Sequence, residues 1–519
     1  MTNNLVNSKR IARNTLMLYF RMLVMMVVTL FTSRVVLNEL GVDDYGIYNV
    51  VGGIVAMFTM ISGSLSSAIS RFITFELGKG SQAKLSRIFS TSVIIQIIIA
   101  VIITILVETV GLWFLMNKMV ISVERMLAAK FVLQFSLLTL IINIISIPYN
   151  AVIIAHERMS AFAYISIVEA AGRLAIAYFI AMSPVDKLIF YSFLMAVVAL
   201  IIRIIYSIYC KRNFEEAKFR WIFDKKLLKE MFGFAGWNFF GLSSMLFRDH
   251  GVNILLNMFG GPSVNAARGI STQVSVAVTQ FSANFMTAID PQIIKSYANN
   301  DKNYLISLIF QGARFSFYMV LILSLPILLN TDYILSIWLI EVPKHTVLFV
   351  QLSLIFGMSQ ALQGTLITTI LATGNLRNIQ LIIGFIQIMN LPISYLMLKN
   401  GMIPETVMFV AIALSICCLL TRIYMLQNMI GISFVNFLQN VVLNIISVCV
   451  FSSILPYYVA QKLNADFISF LIISIVSVIC SLISVYFVGC NNKEREFVKN
   501  RIIIIINKII NKIINKKSC

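Results

Sequence analysis

The sequence predicts an all-α polytopic membrane protein with about fourteen transmembrane helices, and three observations support this fold class. The chain has 519 residues, of which 59% are hydrophobic and only 12% are charged, whereas ordinary soluble domains are about 25% charged. Apolar runs of roughly 20 residues recur along the whole length, each long enough to cross ~30 Å of hydrocarbon. The runs are continuous, as in 93–107 and 435–455, whereas an outer-membrane barrel would show alternating segments of ~10 residues.

Taken in order, the apolar runs predict helices at 14–39, 48–74, 87–115, 126–154, 161–183, 188–210, 233–258, 265–289, 306–330, 348–371, 379–398, 405–427, 435–458 and 467–489. The first two form a hairpin around the acidic turn 40–48. An even number of helices places both termini on one side of the membrane. Lys and Arg concentrate in the loops of that side, which marks it as the cytoplasm. The first apolar stretch is too long for a cleavable signal, so we expect it to be a retained anchor.

The net charge of +19 follows from this one-sided enrichment, so no nucleic-acid partner is expected. None of the seven cysteines lies in a predicted periplasmic loop, and their spacing fits no metal site. We therefore expect no disulfide framework, no metal and no cofactor. The sequence contains no nucleotide motif, so ATP is not the expected energy source.

A weak internal match at an offset of about 220 residues predicts two parallel six-helix repeats. Leu40-Gly41 aligns with Phe259-Gly260, and at an offset near 217 the segment 155–159 aligns with 372–376. Transporters commonly bind their substrate between such repeats. The predicted domains are an N-terminal lobe at 1–210, a cytoplasmic linker at 211–232, a C-terminal lobe at 233–427, two extra helices within 428–490, and a tail at 491–519.

The predicted tail has the pattern of a basic amphipathic helix. Lys508, Lys512 and Lys516 recur every four residues, and isoleucines fill the opposite face. We expect this cytoplasmic tail to lie on the anionic lipids of the inner leaflet.

Charges inside the predicted helices mark the candidate site, because a charge at the bilayer centre costs about 2.5–3.5 kcal/mol. Arg173 lies midway along predicted helix 5, with Glu169 one turn before it. It either forms an ion pair with Glu169 or faces a wet cavity. In predicted helix 7, Arg248, Asp249 and His250 are consecutive and point in three directions, so they should not simply neutralise one another. Asp249 would then pair with an arginine of a neighbouring helix, or one of these charges would face water.

Two further arginines, Arg34 and Arg268, lie near the outer ends of predicted helices 1 and 8. Snorkelling to the membrane surface is an alternative for both, and it accounts for four arginines close to cytoplasmic helix ends, namely Arg21, Arg203, Arg314 and Arg422.

The guanidinium fork suits phosphate. We therefore predict a phosphate- or pyrophosphate-binding cavity and no catalytic site. The predicted binding residues are Arg34, Arg173, Arg248 and Arg268, and Glu169 and Asp249 are the candidates for coupling or pairing.

The segment 40–48, Leu-Gly-Val-Asp-Asp-Tyr-Gly-Ile-Tyr, after an arginine-bearing first helix resembles the O-antigen and capsule polysaccharide flippases. The segments 155–159 and 372–375 are similar to the matching loops in the two repeats of that family. These flippases belong to the multidrug, oligosaccharidyl-lipid and polysaccharide exporter superfamily.

The resemblance implies two six-helix lobes around a central cavity, in the bacterial cytoplasmic (inner) membrane. It also implies alternating access that moves an undecaprenyl-diphosphate-linked oligosaccharide, the repeat unit of an O-antigen, capsule or exopolysaccharide, to the outer leaflet. A polymerase and other polysaccharide-assembly proteins would be partners.

Two other functions compete with this interpretation. A multidrug cation antiporter of the same superfamily would need buried carboxylates, and the candidates are Glu108, Glu169, Asp249 and Asp290, which the arginines outnumber. A polysaccharide polymerase or ligase would need a catalytic site on a large outer loop. The longest predicted outer segment, 331–347, contains no convergent acid–base residues.

The predicted topology can be tested with single cysteines in a cysteine-free background. We expect a membrane-impermeant thiol reagent applied to intact spheroplasts to label Asp44→Cys and not Lys218→Cys, because 40–48 should be periplasmic and 211–232 cytoplasmic. The reverse labelling pattern would contradict the orientation.

Overall fold

The computed structural model describes residues 2–499, apart from 57, 58, 118, 120, 184, 222, 223, 340, 341, 465, 493, 497 and 498. The predicted basic helix around Lys508, Lys512 and Lys516 lies outside the described residues. So do the side chains of Arg34 and His250.

The helices of the first half are α1 (Thr2–Ala56), α2 (Thr59–Lys79), α3 (Gln82–Leu106), α4 (Leu112–Asn117), α5 (Met126–Ala155), α6 (Met159–Ala181) and α7 (Lys187–Asn213). A π-helical turn, Val107–Gly111, joins α3 to α4. Helix α7 begins at a capping residue, because the Asp186 carboxylate accepts hydrogen bonds from the backbone N–H groups of Leu188 and Ile189.

The helices of the second half are α8 (Lys225–Ala298), α9 (Lys302–Leu329), α10 (Thr331–Trp338), α11 (Thr346–Ala361), α12 (Gly364–Thr373), α13 (Arg377–Ile388), α14 (Asn390–Lys399), α15 (Thr406–Ile430), α16 (Phe434–Phe437), α17 (Leu443–Lys462) and α18 (Phe467–Ser484). π-Helical turns, Leu438–Val442 and Val485–Gly489, precede α17 and follow α18.

The predicted fold class is confirmed: the chain is an all-helical, multi-pass membrane protein. In the part that the structure describes, eleven helices are long and apolar enough to cross a membrane. Three of the fourteen predicted segments, 48–74, 233–258 and 265–289, are not among them. They correspond to the region of α1 and α2 on either side of 57–58 and to the two arms of α8.

Two glycines replace the loops that the sequence predicted between helices 1 and 2 and between helices 7 and 8. Helix α1 bends at Gly41 (φ 77°, ψ 170°), and α8 bends at Gly261 (φ 75°, ψ −174°). Both residues have a backbone conformation that is essentially restricted to glycine, so one residue redirects the chain without a loop. They are 220 positions apart, which agrees with the offset of the predicted repeat. The predicted repeat pairs Gly41 with Gly260, the residue directly before Gly261.

The chain contains two compact units. The first unit comprises Met1–Leu246, Asn284–Leu308 and Ile367–Phe385. The second unit comprises Phe247–Ala283, Ile309–Leu366 and Ile386–Cys519. A buried cluster in the second unit includes Leu256, Phe349 and Val407. The domain boundaries predicted from the sequence repeat stay a prediction.

The bend at Gly261 can be tested with a matched pair of substitutions in α8. We expect Gly261→Ala to lower the free energy of unfolding by about 1–3 kcal/mol, because alanine is strained in this backbone conformation. The control is Gly269→Ala, since a Cβ at either position meets nothing within 4 Å but only Gly261 has a positive φ. Thermal unfolding in detergent measures the difference, and equal midpoints would contradict the assigned role.

Candidate functional site

Helices α5 and α6 carry facing polar stripes within the first unit. On α5, polar residues follow a 4-3-4 spacing, which places Thr139, Asn143, Ser146 and Asn150 on one face. On α6, a 3-4 spacing places Ser166, Glu169 and Arg173 on one face. Such a stripe in an otherwise apolar membrane helix indicates a surface that contacts water or a polar ligand.

The two stripes enclose a cavity of about 300 Å³. Helices α1 and α7 complete its wall, and the lining residues are Arg21, Thr139, Asn143, Ser146, Asn150, Phe162, Ser166, Glu169, Arg173, Met195, Val198, Ala199, Ile202 and Tyr206. Among the described residues, no group donates a hydrogen bond to the buried Oδ1 atom of Asn150. The cavity wall carries amide and hydroxyl residues as well as charged ones.

Arg173 satisfies both alternatives that the sequence left open. Its Nη2 atom lies 2.6 Å from Oε1 of Glu169, so the ion pair exists. The side chain is nevertheless 41% exposed, and that of Glu169 is 28% exposed. Arg173 also lines an adjoining cavity of about 170 Å³, whose wall includes Thr29, Thr32 and Tyr48. The pair therefore lies in the wall of a polar space.

Arg21 is a cavity residue that the sequence analysis assigned to the membrane surface. Its Nε atom donates to Oγ of Ser166 at 2.9 Å, and its guanidinium lies 4.6 Å from the centre of the Phe162 ring. These contacts direct the side chain into the first unit, so snorkelling does not describe it. The cavity thus has two cations, Arg21 and Arg173, and one carboxylate, Glu169.

The snorkelling interpretation also fails for three other arginines, because each finds partners inside the protein. Arg203 lies over the Tyr149 ring at 3.9 Å. Arg314 donates to the Gly489 carbonyl at 3.1 Å and pairs with Glu494. Arg422 is buried and donates to Oε1 of Gln363, so each is a structural residue.

The two remaining described arginines of the predicted site lie in the second unit. Arg248 is buried, and its Nε atom lies 2.9 Å from Oδ1 of Asp249. The prediction that consecutive residues cannot pair was wrong, because the long arginine side chain folds back to its neighbour. Arg268 donates through Nη1 to the hydroxyls of Thr272 at 3.3 Å and Ser353 at 3.2 Å.

A charge network at the predicted periplasmic side was missed by the sequence analysis. Arg125 donates from Nε to Asp44 at 2.8 Å and pairs through Nη1 with Asp186 at 2.5 Å. Burial acts to raise the pKa of Asp186, but the hydrogen bond and charge of Arg125, together with the backbone N–H groups of Ile189 and Leu188, outweigh it, and the pKa lies below its ordinary value. The acidic turn was visible in the sequence, whereas its distant partner was not.

Comparison with known proteins places the fold in context. The family model described as "Polysaccharide biosynthesis protein" matches residues 11–298. No curated protein matches the chain. The predicted resemblance to polysaccharide exporters is confirmed at the level of family and fold.

Solved structures share the fold with little sequence identity. A MOP superfamily transporter from Pyrococcus furiosus Vc1 (DSM3638) is 12% identical with a TM-score of 0.71, and a MATE in complex with MaD3S is 12% identical with a TM-score of 0.70. Each match covers 82% of this chain and 97% of the other. The MATE transporter ClbM in complex with Rb+ is 14% identical, with a TM-score of 0.65, and covers 84% and 97% of the two chains.

The Glu169–Arg173 pair lies in the wall of a polar cavity, whereas the Arg314–Glu494 pair is buried. We therefore expect the loss of each pair to change the free energy of unfolding by a different amount. Glu169→Gln should cost at most about 1 kcal/mol of unfolding free energy, as for exposed pairs. Glu494→Gln should cost about 3–5 kcal/mol, because it strands a buried charge; both side chains of the Arg314–Glu494 pair are 9% exposed. Thermal unfolding in detergent compares them, and an equal loss would show that Glu169 is a dry structural residue.

Proposed function

Because this chain belongs to the polysaccharide biosynthesis protein family, we propose that it flips an undecaprenyl-diphosphate-linked oligosaccharide across the bacterial cytoplasmic membrane. The substrate is the repeat unit of an O-antigen, capsule or exopolysaccharide. It moves from the inner to the outer leaflet by alternating access, with both termini of the transporter in the cytoplasm.

The observation that carries this proposal is the partly exposed side chain of Arg173, which lines a polar cavity in the membrane region. A membrane arginine that served only the fold would be enclosed by its partners, as Arg314 is. The side chain of Arg173 is instead 41% exposed, and it lines the cavity. A guanidinium binds phosphate oxygens through two parallel hydrogen bonds. Arg173 is therefore positioned to receive one phosphate of the diphosphate.

The other cavity groups suit the rest of the headgroup. Arg21 supplies a second positive charge, while the amides of Asn143 and Asn150 offer hydrogen bonds to sugar hydroxyls. A volume of about 300 Å³ is at the lower end for a small-molecule site. It holds the diphosphate and its first sugar, while the polyprenyl chain stays in lipid.

Binding requires an exchange of ion pairs, because Glu169 already occupies one side of Arg173. An incoming diphosphate competes with this carboxylate, and Glu169 is then free to take a coupling cation or proton. Arg34, Arg248 and Arg268 remain proposed as further contacts along the substrate path, and Asp249 as the partner of Arg248 in a similar exchange.

A multidrug cation antiporter is the second candidate, because several structures of this fold are described as MATE proteins. The charge of the cavity favours an anion, since two arginines face a single carboxylate that is already paired. The Pyrococcus furiosus transporter is itself described by a reverse polarity of its binding pocket that suggests a different function. Family and fold point to a transporter rather than a polymerase or ligase.

The proposal predicts that Arg173→Ala weakens binding of undecaprenyl diphosphate about 10- to 100-fold, which corresponds to the loss of one charge-assisted contact. Surface polysaccharide should disappear, and lipid-linked oligosaccharide should accumulate in the inner leaflet. Arg173→Lys should restore function only in part, because it keeps the charge and loses the fork. Native mass spectrometry of the purified protein measures binding.

Arg203→Ala is the matched control, since Arg203 is an arginine of the same unit that packs on Tyr149 and does not line the cavity. At matched protein levels, the control should bind and export normally. Unchanged binding and normal surface polysaccharide in Arg173→Ala would rule out this site. A loss of the protein itself would assign Arg173 a structural role.

A further inference from the structure

A buried carboxylate joins distant parts of the first unit at the predicted cytoplasmic side. Glu157, in the loop between α5 and α6, has a side chain that is 1% exposed. Its oxygens lie 2.7 Å from Nε of Arg10 and 2.8 Å from Nζ of Lys295. Gln292 donates to it at 2.6 Å. The carboxylate therefore holds the start of α1 and the end of α8 to one loop.

An arginine makes a second connection of the same kind. Nη2 of Arg71, near the end of α2, donates to the carbonyl of Ala372 in α12 at 3.1 Å. Its guanidinium also lies over the rings of Phe75 and Phe234, at 4.7 and 5.7 Å. A Cβ on Gly374 would come within 2.7 Å of this nitrogen. The guanidinium of Arg71 therefore packs closely against Gly374, whose positive φ of 77° favours glycine.

The two connections occupy equivalent places in the predicted repeat. Glu157 (φ 58°) and Gly374 (φ 77°) are 217 residues apart and share the left-handed backbone conformation. In each case a helix-end cation from one half of the sequence, Lys295 or Arg71, meets the loop of the other half. The ends of α2 and α8 also touch directly, since a Cβ on Gly78 would lie 2.8 Å from Cβ of Ala298.

We propose that the Glu157 cluster and the Arg71 contact form a paired latch that closes the cytoplasmic end of the transporter and opens once in each transport cycle. This inference rests on the proposed transport function, but it does not depend on the identity of the substrate. When the latch opens, segments 284–308 and 367–385 move away from α1, α2 and the loop before α6. Those three elements stay together.

The charges make the latch cooperative. When Glu157 is neutralised, Arg10 and Lys295 are left without their shared anion, and two like charges then repel each other. Gly78→Ala acts at a different point, because its methyl group pushes α2 away from the backbone of Lys295, 3.2 Å from the added Cβ. Two chemically unrelated substitutions should therefore open the same connection.

The neighbouring carboxylate, Glu216, provides a matched control. It is as buried as Glu157, and it binds His156 at 2.5 Å and Gln82 at 2.9 Å. Burial acts to raise its pKa, but the hydrogen bonds from His156, Gln82 and a backbone N–H together outweigh it, and the pKa lies below its ordinary value. Both partners belong to the first half of the sequence, so Glu216→Gln should leave the latch closed.

The test uses the full-length cysteine-free protein with spin labels at two exposed positions, Ala83 and Asn300, and no added substrate. We expect Glu157→Gln and Gly78→Ala to raise the long-distance population in pulsed electron resonance severalfold. Glu157→Asp should restore part of the closed population. The controls Glu216→Gln and Gly63→Ala, whose added Cβ meets nothing within 4 Å, should match the parent.

Unchanged distances in both latch variants, or an equal shift in Glu216→Gln, would overturn the latch. Arg173→Ala should leave the distances unchanged. A failure of the proposed substrate site would therefore be seen in binding alone, whereas a failure of the latch would be seen in the distances alone. Thermal unfolding of every variant separates opening from loss of the fold.

Discussion

Hydrocarbon solvates neither charges nor free backbone groups, and this constraint governs the arginines inside the membrane helices. Arg314, Arg422 and Arg203 satisfy it with internal partners, which are a carboxylate, an amide and an aromatic ring respectively. Arg173 satisfies it differently, because a polar cavity provides part of its solvation. The difference separates arginines that hold helices together from one that is available to a ligand.

Single glycines set how the backbone turns between predicted helices 1 and 2 and between predicted helices 7 and 8. The chain changes direction there, with helix on either side of each glycine. Gly41 and Gly261 do this at corresponding places, with nearly identical torsion angles. A helix pair joined in this way has a fixed angle that a flexible loop would not set.

Much of the fold could be predicted because hydrophobic length and charge asymmetry are properties of the local sequence. The Glu169–Arg173 pair was predictable from a spacing of four residues. The glycine bends were not, since torsion angles are set by tertiary packing. The breaks predicted at 40–48 and between 258 and 265 are bends at Gly41 and Gly261 inside otherwise helical segments. Arg125 and Glu157 were missed because their partners lie far away in sequence. The pairing of Arg248 with Asp249 depends on the rotamer of the arginine side chain.

The polar residues at 4-3-4 spacing on α5 are visible in the sequence, and they would have located the cavity.

The latch and the cavity are connected by two rigid elements. Arg10 and Arg21 lie eleven residues apart on α1, or ~16 Å along the helix axis. Glu157 lies two residues before α6, which carries Glu169 and Arg173. Helices α1 and α6 stay together when the proposed latch opens, so Arg21 and Arg173 keep their spacing while segments 284–308 and 367–385 move away. The same two helices thus carry the cavity cations and are joined by the latch residues Arg10 and Glu157, and the proposed substrate site can be tested separately from the latch.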